Sequence, residues 1–99
     1  MAYGYVIVDM NISDMDAYKQ YMAAAPASIQ AAGGEYLVRG GQLQAMEGDW
    51  QPRRLVMLEF PSMAQAQAWL DSPEYAPARR LRQLSANSRM VVIDGALPA

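Results

Sequence analysis

The chain has 99 residues, of which 53% are apolar and 18% are charged, a length and composition that suit one compact domain and exclude a disordered chain. Eight lysines and arginines against ten aspartates and glutamates give a net charge of −2, so the basic excess that nucleic-acid binding needs is missing. Because there is no cysteine and no histidine, disulfides, thiol nucleophiles, the usual zinc sites, histidine-ligated haem and the Ser-His-Asp triad are excluded.

The first predicted strand covers residues 3–10, where β-branched and aromatic residues precede the turn-prone sequence NISD. Both of its faces are apolar, which is typical of a strand covered on both sides. This segment has no basic region with a signal-peptide cleavage site, and no apolar run in the chain approaches membrane-spanning length. We therefore expect a cytoplasmic protein with no membrane partner.

An amphipathic helix is predicted over residues 14–32, because apolar residues recur there at spacings of three and four after Ser13, a residue suited to the N-cap. Pro26 is expected to kink or split this helix, because proline has no amide hydrogen and clashes with the preceding turn. Gly33 and Gly34 are expected to end it.

A hairpin is predicted next, with strands over 35–40 and 53–60 joined by the turn-rich sequence EGDWQP. The outgoing arm either ends at residue 40 or resumes over 42–47. Gly40 and Gly41 in this arm indicate a bulge, or a place where another backbone or a ligand approaches closely.

The second half of the chain is predicted to contain further helices and a last strand. In the segment 61–70, Ser62 as N-cap and Gln65 form a capping-box pattern that favours a short helix. Within the segment 71–85 a second helix is predicted, with Ser72 as its cap and Pro73 at its first position, and a strand follows over 88–94. The buried stripe of that second segment is predicted to be Tyr75, Ala78, Leu81 and Leu84.

The order β-α-β-β-α-β predicts a ferredoxin-like α+β sandwich, with a four-stranded antiparallel sheet and the helices on one of its faces. The other face of the sheet is also apolar, and a second copy of the chain is the simplest cover for it. We therefore expect a homodimer, in which Trp50 at the hairpin tip packs on the partner subunit.

Five sequence strings occur along the chain in this order: YKQY, AAAPA, LVRGG, EGDWQPRRLVMLEFPS and AWLDSPEY. Over nearly the whole chain they resemble the family catalogued as domain of unknown function 1330, whose fold belongs to the dimeric α+β barrel group. The resemblance implies a single dimeric α+β barrel domain over residues 1–99 that pairs sheet to sheet. It implies no reaction, because the wider fold group contains cofactor-independent monooxygenases, isomerases, haem-dependent enzymes and ligand-sensing modules.

Arg39 is the residue with the clearest functional interpretation. A turn centred near Asp49 would place it opposite Glu59, close enough for a charge-assisted pair. In one interpretation this is a structural ion pair at a sheet edge. In the other, Arg39 binds a carboxylate or enolate oxygen between sheet and helices, with Glu59 as its orienter or a general base. Gly40 and Gly41 would then let the ligand approach the backbone.

Tyr18 and Tyr75 are further candidate ligand-binding residues, because each carries a polar tip on a core-facing helical stripe. The alternative is that both are core aromatics with satisfied hydroxyls. Asp9 and Asp94 end neighbouring strands and are expected to lie near one another, but without a third acidic residue in range no metal site is expected. We also expect no cofactor.

Two hypotheses of function remain open. The first is a cofactor-independent homodimeric enzyme that acts on a small organic acid, phenol or enol, with Arg39 as the anion binder and Glu59 as the acid/base or orienting group. The second is a non-catalytic ligand-sensing or stress-associated dimeric module. Spacing alone does not separate them, because acid/base chemistry depends on geometry and on a tuned pKa.

Overall fold

The computed structural model of the protein describes residues 2–96. Within this range the elements are β1 (Gly4–Ile12), α1 (Met15–Ala31), β2 (Glu35–Arg39), β3 (Arg54–Phe60), α2 (Met63–Leu70), α3 (Ala76–Ser85) and β4 (Ala86–Asp94). The strands form one antiparallel sheet in the order β2-β3-β1-β4. This is the ferredoxin-like α+β fold that the sequence predicts. None of the described helices is long and apolar enough to cross a bilayer.

The core lies between the sheet and the helices. Every second residue of β1 and β3 is buried there, because side chains alternate between the two faces of a strand. The largest fully buried side chains are Trp69, Tyr18, Tyr75, Phe60, Met10 and Ile29. On the other face of the sheet, which we call the open face, large apolar side chains remain exposed, among them Tyr3 at 53%, Val91 at 56% and Ile93 at 52%.

The N-cap of helix α1 lies one residue later than predicted. Asp14, and not Ser13, accepts a hydrogen bond from the Ala17 amide, at 3.1 Å, while the Ser13 hydroxyl donates to the Ser85 carbonyl. The expected split at Pro26 is wrong, because α1 continues through this proline to Ala31. Pro26 has no amide hydrogen, so the Met22 carbonyl, four residues earlier, lacks its usual hydrogen-bond donor within the helix.

The β2–β3 hairpin has a different register from the one that the sequence suggested. Arg39 lies opposite Val56, and Glu59 lies opposite Glu35, so the expected Arg39–Glu59 pair is wrong. The expectation assumed a hairpin symmetric about Asp49, whereas β2 ends at Arg39. The predicted extension of the outgoing arm over 42–47 is not a strand.

Two irregularities of β2 explain this register. The ladder shifts between Tyr36 and Val38, so the bulge lies before Arg39 and not at the two glycines. Immediately after the strand, the Gly40 amide donates to the Leu55 carbonyl at 2.8 Å, and the chain then leaves the sheet. The long connection to β3 therefore begins at the glycines.

Of the two helix caps predicted in the second half of the chain, one is confirmed and one is wrong. Ser62 caps α2 by accepting from the Gln65 amide at 3.1 Å, which confirms the capping box. Ser72 instead accepts from the Tyr75 amide in a turn before α3, so the predicted helix start there is wrong. Pro77 lies in the first turn of α3, where no amide is needed. The predicted burial of Leu84 is also wrong.

Leu84 is 68% exposed because α3 presents a different face to its neighbours. The buried residues of α3 are Ala78, Arg82 and Ser85, spaced by four and three positions. Leu84 lies outside this stripe. Arg82, which the predicted apolar stripe does not include, is buried in it.

Candidate functional site

A narrow cavity lies between the sheet and α1. Its floor is apolar and comes from β1, β3 and Trp69, and the lining residues that are not buried are Met22, Tyr36, Arg39, Arg54 and Met90. The cavity has a volume of about 10 Å³, which is room for about one water molecule. Two of the chain's arginines therefore border the same small apolar space.

Arg54 is the more enclosed of these arginines. As the first residue of β3 it has the strand parity of Val56, which faces the helices, so its side chain lies on the helix side of the sheet. Its Nε donates to the Tyr18 hydroxyl at 2.8 Å, and its Nη2 lies 3.8 Å from the Met22 sulfur. The guanidinium is also 5.4 Å from the centre of the Tyr18 ring, within cation–π range.

Arg39 is exposed and reaches α1 from the edge strand. Its Nη2 donates to the Met22 carbonyl at 3.1 Å, and its guanidinium carbon lies 4.5 Å from the centre of the Tyr36 ring. The carbonyl that it binds is the one left without a helical donor by Pro26. This contact gives the strand arginine a structural role that needs no carboxylate.

Two guanidinium groups lie at the rim of the cavity, and among residues 2–96 no carboxylate is paired with them. In the part of the chain from residue 2 to 96, the hydrogen bonds of Arg39 and Arg54 go to a carbonyl, a hydroxyl and a thioether, and none goes to a carboxylate. Burial raises the pKa of the Tyr36 hydroxyl, and the two arginines oppose that rise in its pKa. Such a rim suits a small anion, because guanidinium groups bind carboxylates through paired donors.

The two glycines after β2 have different surroundings. Gly40 adopts a positive φ of 66°, and a Cβ built on it would overlap the guanidinium of Arg54. The group that approaches this backbone closely is therefore an arginine of the same chain. A Cβ on Gly41 would meet nothing within 4 Å.

A buried hydrogen-bond chain lies behind the cavity wall. The hydroxyls of Tyr21 and Tyr75 are 3.0 Å apart, and Arg82 donates from Nε to the Tyr75 hydroxyl at 3.3 Å. Tyr21 lines the cavity, whereas Tyr75 does not. Burial and the Tyr75 hydroxyl raise the pKa of Tyr21 well above its usual value, and Arg82 only partly opposes this increase in pKa, so the hydroxyl stays protonated.

Glu59 lies on the open face of the sheet and does not line the cavity. Its carboxylate accepts a hydrogen bond from the Tyr5 hydroxyl at 3.0 Å, and this bond raises the pKa of Tyr5. The residue is therefore separated by the sheet from Arg39, the partner that the sequence suggested.

The two aspartates expected to lie together are far apart along the strands. Asp9 lies opposite Arg89 and Asp94 lies opposite Gly4, because β1 and β4 are antiparallel. The Asp9 carboxylate instead accepts from the Trp50 indole at 3.1 Å. Across residues 2–96 no group of three acidic side chains could hold a metal ion.

Sequence reasoning missed Arg54, Tyr21 and Arg82. Two of them carried a signal: Arg54 occupies a core-facing position of a predicted strand, and Tyr21 follows Tyr18 at the helical spacing of three. Arg82 carried none, because its burial depends on where α3 begins.

Solved proteins of low sequence identity share this fold. A protein of unknown function from Rhodopseudomonas palustris superposes with a TM-score of 0.75 at 19% identity, over 98% of this chain and 85% of that chain. A dimeric ferredoxin-like protein of unknown function from Jannaschia sp. CCS1 gives 0.68 at 20% identity, over 96% and 99%. SnoaB, a cofactor-independent oxygenase from Streptomyces nogalater, gives 0.65 at 9% identity, over 99% and 97%.

At these identities the likeness concerns the fold alone. No curated protein matches the sequence. The family model described as domain of unknown function (DUF1330) matches residues 3–96, a range that includes every strand and helix described above. The chain therefore belongs to the DUF1330 family.

Proposed function

We propose that the protein binds a small organic anion with an apolar body in the cavity between the sheet and α1. The observation that carries this proposal is the pair of guanidinium groups, Arg39 and Arg54, which border one apolar cavity and bond only to neutral acceptors among the described residues. A carboxylate would offer these arginines stronger, charge-assisted hydrogen bonds. The floor of the cavity would bury the apolar part of the ligand.

The cavity must widen to admit such a ligand, because its present volume is enough for about one water molecule. The rim is suited to this movement. Met22 is flexible and only half-buried, and its contact with Arg54 is a weak thioether interaction. A ligand carboxylate would replace the Met22 sulfur at Nη2 of Arg54, while Nε stays on Tyr18.

We also propose that the protein acts as a homodimer joined through the open face of the sheet. This face exposes Tyr3, Val91 and Ile93, and an apolar patch of this kind in a soluble domain is a common site of association. Trp50, which is exposed and bonded to Asp9 beside this face, supports a contact with the partner subunit. The protein of similar fold from Jannaschia sp. CCS1 is described as dimeric.

Binding is common to both hypotheses of function. Conversion of the ligand without a cofactor is the enzymatic form of the proposal, and SnoaB is a protein of similar fold that is described as a cofactor-independent oxygenase. Ligand sensing by the dimer is the non-catalytic form. In either form we assign the binding role to Arg54 and Arg39 and none to Glu59, because Glu59 faces away from the cavity.

The test is a thermal-shift and calorimetric screen of small aromatic and aliphatic carboxylates and phenols. A ligand that binds the folded state raises its stability by mass action. We expect an aromatic carboxylate to bind wild type, and expect Arg54→Met to weaken binding by roughly 10–100-fold through loss of a charge-assisted contact. Arg80→Met, an equal change of charge at an exposed position of α3, is the control.

Two results would contradict the proposal. One is equal binding by wild type and a folded Arg54→Met variant. The other is loss of binding in Glu59→Gln with Arg54→Met unaffected, which would move the site to the open face.

A further inference from the structure

We infer that Tyr18 and Tyr21 form a pair of hydroxyl donors for an oxygen of the ligand, so that the site selects acids that carry a carbonyl or enolate oxygen. The inference rests on the proposed anion site and names the chemistry of its ligand more closely. It follows from the direction of the hydrogen bonds around the two tyrosines.

The direction is fixed at Tyr18 by its partner. An arginine side chain has only donors, so the bond between Arg54 Nε and the Tyr18 hydroxyl, 2.8 Å long, uses the tyrosine oxygen as acceptor. The hydroxyl hydrogen of Tyr18 therefore points elsewhere. Within residues 2–96 this bond is the one that the Tyr18 hydroxyl makes, so its hydrogen has no acceptor in the chain described.

At Tyr21 the geometry allows the same role. Arg82 Nε donates to the Tyr75 oxygen, and the Tyr75 hydrogen can be donated to the Tyr21 oxygen, 3.0 Å away. Either hydroxyl of this pair can be the donor. Tyr21 lines the cavity and Tyr75 does not, so the arrangement with Tyr75 as donor is the one that leaves the Tyr21 hydrogen for a ligand oxygen.

Tyr18 and Tyr21 line one cavity, so both hydroxyl hydrogens can be directed to the same ligand. The rings of Tyr18 and Tyr21 are 5.6 Å apart, one helical turn along α1, and both border the apolar space beneath the arginines. Each hydroxyl is linked to a guanidinium by hydrogen bonds. Tyr18 is bonded to Arg54 directly, and Tyr21 is connected to Arg82 through the Tyr75 hydroxyl. A donor that itself accepts from a cation is polarised, and in apolar surroundings its bond to a ligand oxygen is strengthened.

The arrangement defines a class of ligand. A carboxylate would meet Arg54 and Arg39, and a second oxygen close to it would meet the two tyrosines. A 2-oxo acid, or an acid with an enolisable carbonyl on an apolar body, has both groups. Polarisation of that carbonyl by the two hydroxyls would stabilise negative charge on its oxygen, as an enolate requires.

The experiment compares acids that differ only in this oxygen. Benzoylformate is compared with phenylacetate, and 3-acetylbenzoate with 3-ethylbenzoate, by calorimetric titration of the full chain. We expect wild type to bind at least one oxo acid about tenfold more tightly than its partner, the value of roughly one hydrogen bond. Tyr21→Phe should abolish this ratio, because it weakens binding of the oxo acid far more than binding of the acid without the carbonyl. Tyr3→Phe, on the open face, is the matched control.

A vibrational measurement separates donation from a merely structural effect. The carbonyl stretch of the bound oxo acid should lie at lower frequency than in water and should shift upward in Tyr18→Phe and in Tyr21→Phe. Equal affinity of wild type for both members of each pair would overturn this inference and leave the anion site intact. If wild type binds none of the four acids, the anion site fails for these ligands and the inference fails with it.

Discussion

At the scale of single residues, the glycine after β2 shows how the backbone makes room for a functional side chain. Gly40 combines a positive φ with close contact to the guanidinium of Arg54, whereas Gly41 has neither feature. A side chain on Gly40 would strain the backbone and also push Arg54 away from Tyr18. The two neighbouring glycines therefore form a natural pair of variant and control.

We expect Gly40→Ala to lower the free energy of unfolding by about 1–2 kcal/mol, because an L-residue is strained at positive φ. The clash itself adds little to this cost, since the end of the Arg54 side chain can move, but the movement should weaken binding of the anionic ligand. Gly41→Ala should change stability by less than about 0.5 kcal/mol. Urea unfolding and ligand titration of both variants test this. Equal effects of the two substitutions would contradict it.

At the scale of elements, Pro26 and Arg39 belong together although 13 positions separate them along the chain. The proline removes the amide that would bind the Met22 carbonyl inside α1, and Arg39 of β2 donates to that carbonyl from the neighbouring edge strand. The helix therefore crosses a proline without being split, and the sheet edge is joined to the helix at the same point.

This arrangement predicts a coupling between the two residues that a double-mutant cycle can measure. Arg39→Met should cost about 0.5–1 kcal/mol in wild type, a value kept small because the bond is exposed. In a Pro26→Ala background the same substitution should cost less, since the new amide at position 26 binds the Met22 carbonyl. Chemical denaturation of the four proteins gives the coupling. Strictly additive effects would show that Arg39 does not serve the carbonyl.

The sequence predicted the elements and their order well, because hydrophobic periodicity and glycine positions act locally. The site was predicted less well, because Arg39 and Glu59 were paired through a turn whose symmetry no local signal determines. A bulge at Leu37 and an early end of β2 shift the ladder, and in a strand a shift by one residue exchanges the two faces. Arg54 was readable from its core-facing parity, whereas the burial of Arg82 depends on tertiary packing.

At the scale of the whole molecule, the sheet has two apolar faces and the helices cover one of them. The open face includes Tyr5, Ile7 and Met57 in its centre, and Val91 and Ile93 on the edge strand β4. A symmetric pair of sheets would cover these side chains with identical ones and leave the cavity on the far side of each sheet. The proposed dimer would then support the site without supplying residues to it.

The dimer can be tested by placing one charge on each side of the molecule. Val91→Asp introduces a carboxylate on the open face at a position that is 56% exposed in the single chain, so the protomer should still fold. Symmetry repeats the charge in both subunits, and burial of unpaired carboxylates should weaken association by roughly 100–1000-fold. Leu84→Asp, at an exposed position of α3, should leave association unchanged. Light scattering across a dilution series measures association of the three proteins. Dissociation by Leu84→Asp alone would place the interface on the helices. A wild type that is monomeric at every concentration would refute the dimer.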